Sequence, residues 1–399
     1  MASLLTFEEA QERVLASARQ LAAESVPTAQ AAGRVLAEDV RSAVDLPPFA
    51  SSAMDGYAVR TADLPGTLHI VGESAAGRPF GGALGAGEAV AISTGAVVPA
   101  GADAVIPIEY VGKSDNNIEV GQELAPGASV RRRGGDASAG DVVVAAGTRL
   151  EPAVLAAAAA AGVASLACAR RPRVTILATG SELVEPGDEL RPGQIYEGNT
   201  VMLAAALAVC GADVTIEPTV ADDEPALREA LERGLSGDVL VTSGGVSVGE
   251  HDLVRAVERE LGVEEIFWRV AIKPGKPVAF GMRAATLVIG LPGNPVSALV
   301  GTELFVKPAL RALQGNTEPL PRFEPGRVAV DLRRNAERDE FLRARSRVDA
   351  DAVVLEPVLG QESHMIARAS AADALVHVPR GNGALAAGTP VSWLRLGAP

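Results

Sequence analysis

Between residues 172 and 314 short apolar runs alternate with stretches of helical spacing, and this alternation limits the fold more than any other feature of the chain. Strands are predicted over 174–178, 214–216, 239–242 and 287–290. Helices are predicted between and after them, over 200–210, 225–233, 253–261 and 296–313. Asn199 opens the first of these helices and Gly211 closes it. Continuous apolar strands alternating with helices imply a parallel sheet covered on both faces. Such sheets bind ligands at the carboxyl ends of their strands.

The flanks have other textures. Residues 6–23 carry helical spacing, with Leu15, Ala18, Leu21 and Ala22 on one face. Thr6 and Glu9 form the capping-box pair at its start. A shorter helix is predicted over 28–37, capped by Thr28, and Pro47-Pro48 breaks the pattern. From there to about 143, frequent Gly and Pro separate short apolar runs at 68–71, 89–92, 104–108 and 142–145, a β-rich pattern with many turns. The stretch 153–169 has no charge, but it is mostly Ala and falls short of the ~20 residues that span a bilayer. It reads as a helix followed by a strand, with Pro152 in the helix's first turn. Packed back on the N-terminal helices, it would make the β-rich segment an insertion. Beyond Pro319 and Pro321, runs at 328–332, 353–358, 375–378 and 391–396 suggest a small barrel or sandwich.

Composition removes several functions. The chain has 399 residues, with 36 Lys and Arg against 50 Asp and Glu, a net charge of −14. That balance argues against general nucleic-acid binding while leaving room for a small anion in a local basic pocket. Cys168 and Cys210 stand far apart, which excludes a disulfide framework and a cysteine-rich zinc site. The four histidines form no H-E-x-x-H pair. The opening residues carry Glu8, Glu9 and Glu12 and lack the basic start and apolar run of a signal peptide, so a cytoplasmic location away from membranes is expected.

Four segments carry chemistry. TSGGVSVGEHD (242–252) lies between a buried strand and a helix, where glycine N–H groups converge on an anion. Within it, G-V-S-V-G (245–249) also matches the nucleophile elbow of esterases. The next helix, however, is predicted to begin near Asp252 rather than directly after the serine, and no H-G-G-G-like oxyanion segment precedes it. Asp252 taken alone reads as a helix cap. IKPGKP (272–277) holds Lys273 and Lys276 between two prolines and a glycine. This stiff basic pair suits an oxyanion, with a solvated loop as the plain alternative. GLPGNPVS (290–297) places Asn294 and Ser297 at the start of the long helix, and capping accounts for Asn294 better than for Ser297. Carboxylates sit beside glycine turns: Asp55 in SAMDGYA, Asp136 after RRRGG, Glu182 in ATGSELVEPG, and Asp222 with Asp223 at a strand end. Glu182, Asp222 and Asp252 project from strand ends of one sheet. Magnesium commonly binds through one or two carboxylates plus substrate phosphates. Singly, each carboxylate reads as a cap or a turn residue.

Taken together and in order, SAMDGYAVR (52–60), STGAVVPAGADAVIPIE (93–109), RPRVTILATGSEL (171–183), TSGGVSVGEHD, KPGKP (273–277) and GLPGNPVSA (290–298) resemble the molybdopterin molybdenumtransferase family, also found as the E domain of gephyrin-type proteins. The likeness runs over nearly the whole chain and is strongest from 47 to 314. It implies an α/β multidomain fold of four units. These are a split helical unit (1–46 plus 144–171), a β-rich insertion (47–143), a three-layer α/β domain with a mostly parallel sheet (172–317), and a C-terminal β-barrel (318–399). It also implies a magnesium-dependent transferase that inserts molybdate into adenylylated molybdopterin and releases AMP, working as a homodimer. A molybdopterin adenylyltransferase and downstream maturation proteins for molybdoenzymes would be its partners.

Carried over by position, Asp222 and Asp252 match sites associated with magnesium and the adenylate phosphates. Ser243, Gly244, Gly245, Ser247 and Gly249, with Pro292 and Asn294, match the pterin and nucleotide side. Lys273, Lys276, Ser297, Arg338 and Ser363 match positions that hold molybdate. Asp55, Thr94, Asp136 and Glu182 match acidic and hydroxyl positions needed for activity, and those in the β-rich insertion would approach the α/β unit of the other subunit. The chain departs from the family at Gly134-Gly135-Asp136, where Gly-Glu-Asp is usual. With cysteine so scarce, sulfur ligands for the metal would come from the pterin. The alternatives are a molybdopterin adenylyltransferase, whose fold would match 172–314 alone, and a non-catalytic gephyrin-like scaffold.

Overall fold

The computed structural model describes residues 4–221, 223–245, 253–350 and 352–397. The strands of the central α/β unit alternate their side chains between two cores. Val174 and Ile176, Val239 and Val241, and Leu287, Ile289 and Leu291 face one core. Leu177, Leu240 and Val288 face the other. Burial on both faces explains why these strands read as continuous apolar runs. The first core is closed by helix Asn199–Val209, by the N-terminal helix Phe7–Ser17 and by the chain from Pro295 to Leu313. The second is closed by helices Glu224–Gly234 and Leu253–Glu260.

The sheet has six strands in the spatial order Asp213–Ile216, Arg173–Ala178, Val239–Ser243, Thr286–Leu291, Ala279–Arg283, Glu264–Trp268. The first four are mutually parallel, and Ala279–Arg283 runs antiparallel to both of its neighbours, Thr286–Leu291 and Glu264–Trp268. The four parallel strands fall where the sequence predicts them. The antiparallel pair had no counterpart in the sequence reading.

The expected helix over 296–313 is present in three joined segments. Pro295–Gly301 and Lys307–Leu313 are α-helical, and the turn Thr302–Val306 between them is π-helical. Gln11 of the N-terminal helix donates to the Leu304 carbonyl in that wider turn (2.8 Å). Glu303 and Lys307 form a buried pair there at 2.8 Å.

The N-terminal part corrects two expectations. The first helix ends at Ser17, and Ala23–Pro27 pairs as a strand with Ser165–Ala169. The helix expected over 28–37 is only the 3-10 turn Thr28–Gln30. Gly33 then takes φ +72°, and Val35 and Leu36 bridge to Arg149 and Cys168. Tertiary pairing thus overrides local helical preference. Helix Pro152–Ala160 packs in the same small core. The β-rich segment forms a six-stranded sheet from Gly56 to Val120. Its entry and exit are zipped together where Val40–Arg41 pairs with Val142–Val144 and Leu46 bridges to Ala137.

At the C-terminus, strands Asp339–Asp349, Ala352–Pro357, Glu324–Val328, Pro390–Arg395 and Ala374–Val378 close on themselves into a five-stranded barrel. Trp393 lies fully buried in its core. The two-residue strand Ile272–Lys273, which leaves the α/β unit, pairs in parallel with Asp339 and Glu340 and so joins the barrel to the sheet.

Candidate functional site

The carboxyl ends of the parallel strands meet in a crevice built largely from glycine. Gly244 and Gly245 follow strand Val239–Ser243 at φ +96° and +63°, a region that side chains with a Cβ rarely adopt. A Cβ on Gly244 would stand 2.6 Å from the Thr179 carbonyl oxygen, and one on Gly293 only 3.6 Å from the Gly244 Cα. The two loops therefore touch backbone to backbone, and the Gly244 N–H donates to the Leu291 carbonyl (3.1 Å). The Asn199 amide spans the junction, with Nδ2 donating to Ser243 Oγ (2.9 Å) and to the Gly293 carbonyl (2.7 Å). Behind it the buried Glu197 carboxylate accepts from the Asn199 and Thr200 N–H groups and the Thr200 hydroxyl, capping helix Asn199–Val209. Ser243 and Pro292 are buried, while Gly244 and Gly245 are partly open.

Beside this crevice lies the basic turn. Lys273 Nζ pairs with Glu340 Oε1 of the barrel at 2.7 Å. The turn rests on the start of helix Pro295–Gly301, since a Cβ on Gly275 would stand 3.6 Å from the Ser297 carbonyl oxygen. Lys276 is half-buried, and its carbonyl accepts from Val270 N–H (2.9 Å). Ser363 reaches the same helix start from the barrel: its carbonyl accepts from Val296 N–H (3.0 Å) and its hydroxyl from Asn294 Nδ2 (2.9 Å). Arg338 immediately precedes the barrel strand that pairs with Ile272 and Lys273, and its N–H donates to Asn335 Oδ1 (3.0 Å). Lys273, Ser297, Asn294, Ser363 and Arg338 are thus gathered where the barrel meets the sheet. A fully buried guanidinium, Arg343, supports the Ser363 loop by reaching the Gly360 and Glu362 carbonyls (3.4 and 3.5 Å). Burial lowers its pKa to about 10, against the pull of the Glu362 carboxylate.

Other sequence candidates lie elsewhere. Glu182 stays near the crevice, its carboxylate folded over Gly180. Asp55 and Thr94 meet in the β-rich unit, where Thr94 N–H donates to Asp55 Oδ1 (2.7 Å). Asp136 is exposed in a separate turn, its N–H bonded to the Leu46 carbonyl (2.8 Å). Close by, the Ala139 N–H and Arg133 hold the Asp45 carboxyl below its usual range. Among the described residues, the hydrogen bonds of Asp55 and Thr94 stay within the β-rich unit and the Asp136 N–H goes to Leu46, away from the crevice. Asp222, Ser247, Gly249 and Asp252 lie outside the described residues.

Sequence reasoning missed Glu197, Glu340 and Arg343, and gave Asn199 only a helix-opening role. Glu197 alone had a local signal, a carboxylate two residues before a helix.

Comparison with known proteins covers most of the chain. Residues 5–162 match a model described as MoeA N-terminal region (domain I and II). Residues 175–312 match a probable molybdopterin binding domain, and 325–396 match the MoeA C-terminal region (domain IV). Molybdopterin molybdenumtransferase 2 of Mycobacterium tuberculosis H37Rv is 39% identical over 383 residues, 92% of this chain and 93% of that one. Molybdopterin molybdenumtransferase of Haemophilus influenzae Rd is 36% identical over 399 residues, 98% of each. The crystal structure of the molybdopterin biosynthesis moeA protein from Pyrococcus horikoshii OT3 superposes with a TM-score of 0.86 at 29% identity, covering 98% of this chain and 100% of that one.

Proposed function

Because the chain belongs to the MoeA family of molybdopterin molybdenumtransferases, transferases of molybdenum cofactor biosynthesis, we propose that it inserts molybdate into adenylylated molybdopterin with release of AMP. The observation that best supports this reading is the gathering of Lys273, Ser297 and Ser363 beside the glycine crevice. Molybdate is a dianion and the second substrate carries a pyrophosphate, so the two repel in water. In this reading Lys273, Lys276 and Arg338 neutralise and hold the oxyanion, and the Ser297 and Ser363 hydroxyls orient it. In the glycine turns locked by Asn199, the Gly244 N–H is already taken by the Leu291 carbonyl and Pro292 has none, so in this reading the Gly245 and Gly293 N–H groups face the adenylylated pterin.

Magnesium belongs to the proposal, with Asp222 and Asp252 as its carboxylates. Both lie outside the described residues, and the described ones hold no group of three His, Cys, Asp or Glu side chains suited to a metal.

The proposal includes a cytoplasmic homodimer that receives its substrate from a molybdopterin adenylyltransferase and passes its product to proteins that mature molybdoenzymes. No helix among the described residues is long and apolar enough to cross a membrane. Asp55, Thr94 and Asp136 would then serve the crevice of the second subunit.

The test is incubation with adenylylated molybdopterin, magnesium and molybdate. AMP release that depends on molybdate is expected from the wild-type chain and is lost in Lys276→Ala. Full activity in that variant would remove the oxyanion clamp. Adenylylation of free molybdopterin by ATP would point to an adenylyltransferase, and binding without turnover to a scaffold.

A further inference from the structure

A carboxylate in the middle of an oxyanion clamp is unexpected, because it repels the ligand the clamp is meant to hold. Glu340 is such a group. It is only 8% exposed, lies directly opposite Lys273 in the parallel pairing that joins barrel to sheet, and takes the Lys273 ammonium at 2.7 Å. The Lys273 side chain is about half exposed, so Glu340 occupies one of its three N–H donors and leaves the outward side open. A lysine stem is flexible and its head is a point charge, so without a partner it samples many rotamers. The pair also sits on a rigid support: Asp339 N–H donates to the Ala271 carbonyl (2.9 Å), and the strand that begins there runs to Asp349.

We propose that Glu340 is the positioning residue of the oxyanion clamp, fixing the Lys273 ammonium toward molybdate while its own charge moderates how tightly the dianion is held. This rests on the molybdate reading of the basic turn. A hydrogen bond to one N–H of an ammonium and an oxyanion on another leave roughly 5 Å between the two anions, within the range where charges interact strongly at a half-desolvated site. Position and charge therefore act in opposite directions on molybdate, and two substitutions separate them. Glu340→Gln keeps an oxygen that can accept from Lys273 and removes the charge. Glu340→Ala removes both.

The experiment measures molybdate-dependent AMP release by the full chain and resolves kcat from the KM for molybdate. Glu340→Gln is expected to lower the molybdate KM several-fold with kcat within about threefold of wild type. Glu340→Ala is expected to lower kcat at least tenfold, with no such gain in KM. A purely structural role for Glu340 would move both variants alike. If both raise KM equally, or neither changes KM or kcat, the inference is overturned. Should Glu340→Ala fail to fold, Glu340→Gln decides alone, and an unchanged or raised KM rejects the proposal. A wild-type chain with no molybdate-dependent release overturns the function itself and the clamp with it. Activity in the wild type with no opposed effect of the two variants overturns Glu340 alone.

Discussion

At the scale of single residues, the crevice depends on atoms that are not there. Gly244 combines a left-handed backbone with a Thr179 carbonyl 2.6 Å from where a Cβ would sit. Gly244→Ala must therefore shift the strand-end turn, and an unfolding free energy lower by about 1–3 kcal/mol is expected in urea titration. An unchanged midpoint would mean the turn has another conformation. The glycines were legible in the sequence because consecutive glycines after a buried strand have few other uses. Asn199 was not legible as a tie, since its partners Ser243 and Gly293 are 44 and 94 residues away. Lys273 was legible and its partner Glu340 was not, for the same reason: an ion pair between distant segments leaves no mark in local spacing.

At the scale of elements, Asp238 gathers the opposite end of the sheet. Its carboxylate takes both Arg170 nitrogens (2.6 and 2.7 Å) and the Arg173 N–H (2.8 Å). Its own N–H and carbonyl bond to Arg173 and Leu287. Burial disfavours its charge, but Arg170 and the Arg173 N–H outweigh that and hold its pKa below the ordinary value. Stability from this group is therefore full above the unfolded value near 4 and is lost as pH falls through the lower folded value. Asp238→Asn should cost about 1.5–3 kcal/mol at neutral pH. The gap between variant and wild type in denaturant titrations should begin to narrow below about pH 4 and close only once pH has fallen past the lower folded value, and a gap that does not narrow at all on acidification would exclude a charge origin. The α/β strands were readable because burial on two faces makes them uniformly apolar. Strand Asp339–Asp349 was missed although it is 11 residues long. Its sequence, DEFLRARSRVD, shows no clean alternation, because its first half is buried on both faces, with Ala344 in the barrel core, Phe341 in the α/β core and charged groups such as Arg343 buried between them, while its far end is exposed. The false helix over 28–37 failed because Gly33 and the bridges to Arg149 and Cys168 dominate there.

At the scale of the whole molecule, Asp55, Thr94 and Asp136 of the β-rich unit are not joined to the crevice by the hydrogen bonds among the described residues. If a second chain brings them together, Asp55→Ala and Lys276→Ala lie in different halves of each shared site. Equal amounts of the two inactive variants, dissociated and reassociated, should then recover about a quarter of wild-type activity, because half the dimers are mixed and each has one intact site. No recovery would place both groups in a single-chain site. The strand-and-helix alternation of the α/β sheet was legible from texture, but the pairings that join distant stretches were not, since each is a short ladder between segments far apart in sequence.

The way the N-terminus is held has a consequence for how the protein is made. Helix Phe7–Ser17 is translated long before its partners. Phe7 packs edge-on against Phe341 at 5.3 Å, Leu5 receives the Ala271 N–H, and Leu21 donates to the Leu313 carbonyl. The strand Ala23–Pro27 likewise waits for Ser165–Ala169. At roughly 5–20 residues per second, Phe7 is exposed for about 15–70 seconds before residue 341 has been translated. This helix can therefore dock only late in synthesis, and during that interval its apolar face is open to chaperones.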